Sequence, residues 1–151
     1  MKLLPLTNQV AAFAEGATHV AVVDHTDLTQ ATANTAQVIP AFTAAAGDLV
    51  RVVGTHLGET FEDTEDAAFN STALTIGDAG SANRFLASQQ LNENGTEVIS
   101  KAGEAASYAY NTATAVNLTF GSMSAKSLSD INKGKLYVYF SITKLPRLHV
   151  G

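Results

Sequence analysis

The residues whose types most resemble a metal site are Asp24, His25 and Asp27, with His19 a short way upstream. Carboxylate and imidazole groups are common metal ligands, so the cluster has suitable chemistry. An extended strand would, however, separate His19 from His25 by about 20 Å. Aspartates at the end of a strand also accept hydrogen bonds from nearby backbone N–H groups. The pattern therefore favours a capped turn, and we expect neither a metal nor another cofactor.

The loop of residues 77–83, with the sequence GDAGSAN, has the glycine content of a phosphate-binding turn. It lacks the Lys-Ser/Thr ending of a Walker loop and the spacing of a GxGxxG motif. Glycine is also the residue that adopts positive φ angles without steric cost. We therefore interpret the loop as a tight turn that needs positive φ at Gly77 or Gly80.

Five carboxylates fall among residues 59–66, which is the sharpest acidic run in the chain. They lack the DxDxDG pattern and closing glutamate of a calcium-binding loop. A pair of acids for glycoside hydrolysis is defined by its separation in the fold, and the chain has no tryptophan that could form a sugar platform. We predict a solvated acidic loop at residues 58–67 and expect that the protein is not an enzyme.

The four tyrosines form two pairs at i, i+2 spacing, Tyr108 with Tyr110 and Tyr137 with Tyr139. Alternate residues of a strand lie on one face, so each pair shares a face. The simpler interpretation is that the rings cover one side of a sheet while their hydroxyl groups reach solvent. The alternative is a binding platform for a sugar or a protein partner.

Charge is unevenly distributed along this chain, which has 151 residues and a net charge of −5. Residues 1–125 contain 4 basic and 13 acidic groups, whereas residues 126–151 contain 5 basic and 1 acidic. This distribution lacks the coherent basic face expected of a nucleic-acid-binding protein. It would permit head-to-tail self-association, in which the basic end of one copy meets the acidic loop of another.

No apolar run approaches the 18 residues of a membrane span. The start MKLL resembles that of a signal peptide, but Pro5 and the polar residues 7–9 interrupt it. Cysteine is absent, so disulfides and thiolate zinc sites are excluded. We expect a soluble protein that is made in a cytoplasm and has no membrane partner.

Short β-branched and alternating segments dominate the rest of the chain. An alternating pattern over residues 135–143 places Leu136, Val138, Phe140 and Ile142 on one face. A brief amphipathic segment with Phe85, Leu86 and Leu91 follows the glycine loop, and residues 127–130 could begin one helical turn. Further strands are predicted at residues 18–23, 37–39, 48–57, 73–76, 96–99, 105–110 and 115–120.

This pattern predicts an all-β fold, an antiparallel β-sandwich or jelly-roll-like barrel with one or two short helical turns and extended termini. We expect an N-terminal arm over residues 1–17, a single β-rich domain over 18–143 and a C-terminal tail over 144–151. Pro40 indicates that the strand at 37–39 ends there or lies at a sheet edge.

Three segments carry a resemblance to a known class of protein: DLVRVVG at 48–54, FNSTALTIGDAGSANRFLAS at 69–88, and GKLYVYFSI at 134–142. With these segments the chain resembles small virion proteins of tailed bacteriophages. The resemblance implies a capsid decoration, or cement, protein with no catalytic residues. Such proteins commonly sit as homotrimers on the outer surface of the head and clamp neighbouring subunits of the major capsid protein.

The resemblance implies contacts with the capsid or with other copies at the two termini and at one tyrosine pair. The candidate contact residues are Leu3, Leu4, Leu6, Tyr137, Tyr139, Leu145, Arg147 and Leu148. Two alternatives remain open from the sequence: another tail or head-fibre component of the virion, and a carbohydrate-binding β-sandwich module that uses the tyrosine pairs.

Overall fold

The computed structural model describes residues 1–6, 16–66, 72–92, 100–102 and 107–145, with only the backbone considered for 100–102. These residues form ten β-strands and two short 3-10 helices. The strands are β1 (Lys2–Pro5), β2 (His19–Asp24), β3 (Gln37–Ala44), β4 (Asp48–Glu62), β5 (Ala73–Asp78), β6 (Ser81–Gln90), β7 (Ser100–Ala102), β8 (Tyr108–Ala109), β9 (Thr114–Phe120) and β10 (Lys133–Lys144). The 3-10 helices are His25–Asp27 and Leu128–Asp130.

The strands form two antiparallel sheets, and the chain is an all-β sandwich, as predicted. Sheet A has the order β1-β2-β10-β4-β7, and β8 also pairs with β4. Sheet B has the order β3-β9-β5-β6. The long strands β4 and β10 pair along almost their whole length at the centre of sheet A. The part of the chain that is described contains no helix long and apolar enough to cross a membrane.

Side chains point alternately to the two sides of each strand, and those that point inward form one core shared by the two sheets. In β10, Leu136, Val138 and Phe140 are fully buried and Ile142 packs against the core, which confirms the face predicted for them. The core phenylalanines also join the sheets, because Phe42 of β3 meets Phe140 edge to face with ring centroids 5.1 Å apart. Such aromatic contacts contribute about 1 kcal/mol beyond the area they bury.

The predicted acidic loop at 58–67 is wrong over its first half, because β4 continues to Glu62. Thr60 and Phe61 are buried, and the ring of Phe61 lies 5.8 Å from that of Phe120 in sheet B. Burial of a phenylalanine stabilises by about 2 kcal/mol, and this outweighs the preference of nearby carboxylates for a loop. Two of the five carboxylates, Glu59 and Glu62, therefore lie half-buried within the strand, and the other three follow at 63–66.

The amphipathic segment after the glycine loop is strand β6, which forms a hairpin with β5. Register shifts along this hairpin disturb the alternation, so that the adjacent residues Phe85 and Leu86 are both buried. A period-2 pattern is lost where a bulge adds residues to one strand, which is why the sequence did not indicate this strand.

Other predicted strands lie where the structure has strands, but their lengths differ from those observed. Strand β3 runs past Pro40, and it is an edge strand of sheet B, as the proline indicated. The missing N–H of Pro40 is tolerated because an edge strand has one side without a partner. The segment predicted at 105–110 contributes β8, which is Tyr108–Ala109, while the strand predicted at 96–99 lies outside the described residues.

The two predicted turns take the form of 3-10 helices. Asp24 caps the first, since its carboxylate accepts a hydrogen bond of 2.8 Å from the backbone N–H of Thr26. In the second, Asp130 accepts a hydrogen bond from the backbone N–H of Ser127 at 3.3 Å. The capping interpretation of both sequences is confirmed.

The ends of the described chain belong to sheet A. Strand β1 pairs with β2, and β10 continues as far as Lys144. The extended N-terminal residues are thus an edge strand of the sheet. The division into arm, domain and tail stays a prediction.

Candidate interaction surfaces

Three of the predicted contact residues come together on the outer face of sheet A. Leu4 of β1 lies opposite Val20 of β2, which lies opposite Tyr139 of β10. In the next outward row, Val22 lies between Tyr137 of β10 and the exposed Lys2 of β1. Residues that face each other across antiparallel strands share a side of the sheet. The three neighbouring strands thus form a mainly apolar surface, which we call the aromatic face.

The aromatic face presents apolar surface to solvent. Leu4 is 44 % exposed, and Tyr137 and Tyr139 are half-buried. The ring of Tyr137 lies over Gly58, where an added Cβ would be 3.1 Å from the ring atom Cε2. Packing on this glycine holds the ring in place before any partner arrives, which lowers the entropic cost of binding.

Polar groups border the aromatic face near Tyr137. The Nζ atom of Lys135 lies 6.0 Å from the centroid of the Tyr137 ring, and the His56 ring lies 5.9 Å from it. An apolar centre with a polar rim is the usual composition of a protein–protein interface.

The remaining predicted contact residues are not part of this face. Leu3 points the other way and packs against the core. Leu6 is half-buried, and its N–H donates to the carbonyl oxygen of Thr18. Leu145 is 41 % exposed but follows the far end of β10, about 20 Å along the strand from Tyr139. Arg147 and Leu148 lie outside the described residues.

The glycine loop contains a carboxylate that organises its surroundings. Asp78 accepts hydrogen bonds from the backbone N–H groups of Gly80 and Ser81, at 2.9 and 3.0 Å. It also accepts from Arg84 Nε and Nη2, at 2.6 and 3.1 Å, and from the Tyr110 hydroxyl at 2.7 Å. The bonds from Arg84 first, and then those from Tyr110 and Ser81, lower the pKa of Asp78 from 3.8 to about 2, although burial alone raises it.

This cluster connects the two sheets at one end of the sandwich. Asp78 and Arg84 belong to the β5–β6 hairpin of sheet B, whereas Tyr110 follows β8 of sheet A. The N–H of Tyr110 donates to the carbonyl oxygen of Asp48 at 2.9 Å, which fixes the tyrosine beside β4. Burial, followed by the hydrogen bond to Asp78, raises the pKa of the Tyr110 hydroxyl above its usual value of 10.0.

The prediction that both tyrosine pairs expose their hydroxyl groups is wrong for Tyr110, which is 4 % exposed. Tyr108 remains partly exposed, and its ring lies beneath the Arg84 guanidinium, with 3.8 Å between Cζ and the ring centroid. The two rings also meet edge to face at 4.9 Å. This pair is therefore part of an inter-sheet contact and not an open platform, because the buried carboxylate requires the hydroxyl donor.

The expectation of positive φ at Gly77 or Gly80 is also wrong, since neither glycine has it. Gly77 is required for a different reason. A Cβ added there would lie 2.0 Å from the carbonyl oxygen of Ser81 and 2.5 Å from the carbonyl carbon of Ala82. The turn brings its two strands so close together that there is no room for a side chain at this position.

Lysines of the basic C-terminal segment pair with carboxylates of the same chain. Lys126 pairs with Asp66, and Lys133 Nζ lies 3.8 Å from Glu62. Lys144 Nζ lies 3.2 Å from Asp48 Oδ1. These three lysines thus have acidic partners within their own chain, and the head-to-tail self-association that the charge distribution would permit stays a prediction.

The Asp24–Asp27 cluster acts as a cap, and the ring nitrogen Nδ1 of nearby His19 hydrogen-bonds the Thr18 hydroxyl at 2.8 Å. Within the described ranges, no three His, Cys, Asp or Glu side chains are grouped as metal ligands would be.

The molecule is thus a two-sheet antiparallel sandwich with an aromatic outer face on sheet A. Among solved structures, it is similar to a chain of the cyanophage Pam1 capsid asymmetric unit, with a TM-score of 0.56 and 22 % sequence identity. The similarity covers 84 % of this chain and 82 % of that chain, which shows that the two share a fold. No protein-family model matches the sequence, and no curated protein matches it.

Proposed function

We propose that this protein is a structural component of a tailed-phage virion, which decorates the outer surface of the head and clamps neighbouring subunits of the major capsid protein. The observation that carries the proposal is the likeness to a chain of the cyanophage Pam1 capsid asymmetric unit. The similarity extends over most of both chains, so the proposal is supported by the whole sandwich and does not depend on a local motif.

The aromatic face is the surface that best suits contact with the capsid. Leu4, Tyr137 and Tyr139 form its centre, and each tyrosine combines a large apolar ring with a polar end. Burial of such rings at the centre of an interface supplies most of the binding energy in many complexes. The candidate contact residues that would extend the contact at the termini are Leu6, Leu145, Arg147 and Leu148, whereas Leu3 packs against the core.

The action of the protein in this proposal is mechanical. Each copy bridges neighbouring capsid subunits, so that separating those subunits also breaks the contacts made by the decoration protein. Many copies act on one shell, and a contact that is weak in isolation is strengthened when several are engaged together. The protein would be made in the bacterial cytoplasm, join the virion as a homotrimer and need no cofactor.

The test of this proposal is addition of the purified protein to undecorated heads, followed by sedimentation. We expect the wild-type protein to sediment with the heads at a saturable ratio. The double variant Tyr137→Ala/Tyr139→Ala should bind at least about tenfold more weakly, since it loses two rings from the centre of the interface.

The matched control is Tyr137→Phe/Tyr139→Phe, which retains both rings and should bind nearly as well as the wild type. Thermal unfolding followed by circular dichroism checks that every variant is folded. Wild-type protein that stays in the supernatant with heads of its own phage would contradict the proposal.

A carbohydrate-binding module is the second candidate, because Tyr137 and Tyr139 form an outward-facing aromatic pair with Lys135 at its edge. Glycan binding by the isolated protein, lost in the Tyr→Ala double variant while addition to heads is unaffected, would favour this function. A tail or head-fibre component is distinguished by a low copy number per particle.

A further inference from the structure

The strands of sheet B are almost free of charge. Together they contain two charged residues, Asp78 and Arg84, which pair with each other at the end of the sandwich. In sheet A, every strand except β8 contains at least one charged residue. The difference is large for a chain of 151 residues that has 23 charged side chains in all, the 9 basic and 14 acidic residues together.

The outer face of sheet B, which we call the neutral face, consists of small polar and apolar side chains. Its central row is Val38, Thr119 and Thr75, which face one another across β3, β9 and β5. Val38 is 55 % exposed, and the two threonines are half-buried. The other members of the face are Pro40, Thr43, Ala73, Gln90, Ala115 and Asn117.

A sheet face that contacts only water normally includes charged residues, because they keep the surface soluble and prevent association. Depletion of charge is instead the compositional feature that distinguishes the centre of a protein–protein interface. An exposed valine on an edge strand, in a face without any charge, therefore indicates a surface that is covered in the working assembly.

Two amide side chains on the neutral face have unused hydrogen-bonding capacity. Asn117 Oδ1 and Gln90 Oε1 are shielded from solvent, and neither has a hydrogen-bond partner within the described chain. Buried polar atoms in folded proteins are nearly always paired. A protein surface packed on this face could supply donors to such amides after a rotation of their terminal torsion.

Charge also identifies the partner. Binding of a nucleic acid, a lipid headgroup or a strongly charged protein to this face would remove water from the charges of that partner. The face has no opposite charge to compensate them, so the free energy of desolvation would oppose binding. A second copy of the same chain presents an equally neutral surface. Each copy has a net charge of −5, so approach through a face without carboxylates avoids placing like charges opposite each other.

We propose that the neutral face of sheet B is the surface through which copies of this chain associate. The inference deepens the homotrimer of the proposed function and rests on it. The neutral face and the aromatic face lie on opposite sides of the sandwich, so a copy can contact its neighbours and the capsid at the same time. In a three-fold ring each contact is heterologous, so one part of the neutral face on each copy meets a different part of the neutral face on the next copy, and one substitution is repeated in every copy.

The test is the mass of the full chain in solution, measured by light scattering over a range of concentrations. We expect the wild-type protein to have a multiple of the chain mass of 15.8 kDa. Thr119→Asp, at the centre of the neutral face, and Val38→Asp, at its exposed edge, should each weaken association at least about a hundredfold and give the mass of one chain. Thr112→Asp adds the same charge at an exposed position outside the face and should leave the mass unchanged.

A wild-type protein that is a monomer at all concentrations would overturn the inference, as would a Val38→Asp protein that keeps the wild-type mass. Val38 is exposed, so this variant remains informative even if Thr119→Asp fails to fold. Variants that stay assembled but no longer add to heads would show that the capsid, and not a second copy, covers the face. The proposed function is tested separately, because addition to heads depends on Tyr137 and Tyr139.

Discussion

At the scale of single residues, the carboxylate of Asp78 is the centre of a cluster of five hydrogen bonds. Its carboxylate is 3 % exposed, yet it remains ionised because two backbone N–H groups, Arg84 and Tyr110 all donate to it. Removal of one partner from such a buried charge is costly, since the remaining charge is left without compensation. The cluster therefore fixes the hairpin of sheet B to sheet A in one relative position.

The free energy of unfolding should depend on pH in the acidic range because of the titration of Asp78. The pKa of Asp78 is about 2 in the folded protein against 3.8 for the unpaired group, so its contribution is fully present above about pH 4. It is lost as the pH falls from about 4 through about 2, and the difference corresponds to about 2 kcal/mol. The pKa of Tyr110 is raised on folding, so its contribution is present below pH 10 and is lost at higher pH.

Tyr110→Phe tests this account, with the free energy of urea unfolding measured from pH 2 to pH 11. The variant should be less stable than the wild type by about 2 kcal/mol at pH 7, because a buried hydrogen bond to a charged group is lost. This difference should shrink below about pH 3 and above about pH 10. Tyr139→Phe is the matched control and should have little effect. A Tyr110→Phe deficit that is the same at every pH would contradict the account.

The sequence indicated the residues of this cluster only in part. Adjacent turn residues in GDAGS predicted a tight turn, which Asp78 does form. The contact with Tyr110 joins residues 32 positions apart in different sheets, and no local pattern encodes it. The four tyrosines had equivalent spacing in the sequence, and only their different burial separates Tyr110 from Tyr139.

At the scale of elements, long strands with strict alternation were predictable and irregular strands were not. The sequence of β10 predicted which face of the strand is buried, because every second residue is large and apolar. Strand β6 was missed because register shifts break its alternation, and the end of β4 was missed because carboxylates surround the buried Phe61. Tertiary packing decides in both places, and packing partners are not adjacent in sequence.

The β5–β6 hairpin depends on Gly77 in a way that a substitution can measure. Gly77→Ala should lower the free energy of unfolding by about 3 kcal/mol or more, because its Cβ would overlap the backbone of Ser81 and Ala82. Gly80→Ala is the matched control in the same turn, where the nearest atoms are side-chain atoms of Arg84 and Asp78 at 3.3 Å. We expect it to cost under about 1 kcal/mol, since contacts at 3.3 Å are relieved by a shift of a few tenths of an ångström, which leaves the hydrogen bonds of the cluster in place.

The comparison is made by urea denaturation, with the m-value used to check that both variants unfold in one transition. Equal stability of the two variants would show that the close approach at Gly77 does not constrain the turn.

At the scale of the whole molecule, the sandwich has two outer faces of different character. The aromatic face of sheet A offers an exposed leucine and two half-buried tyrosine rings with a polar rim, and the neutral face of sheet B has no charge. The sequence pointed to Leu4, Tyr137 and Tyr139 separately, and strand pairing brings them onto one surface. The neutral face was not predicted, because the strands that build it are far apart in sequence.

The two faces suit the proposed clamp, because they lie on opposite sides of one small domain. One face would hold the copies together and the other would bind the shell, so that a single decoration unit engages several capsid subunits. Binding through several weak contacts at once depends on this geometry, because the linked sites share one rigid body.

The measurement that tests the clamp most directly is the temperature at which heads release their DNA, with and without the protein. We predict that wild-type protein added to undecorated heads raises this temperature, and that Tyr137→Ala/Tyr139→Ala does not, because it no longer bridges the capsid subunits. Heads that bind the wild-type protein to saturation and still release their DNA at the undecorated temperature would contradict the claim that it stabilises the capsid.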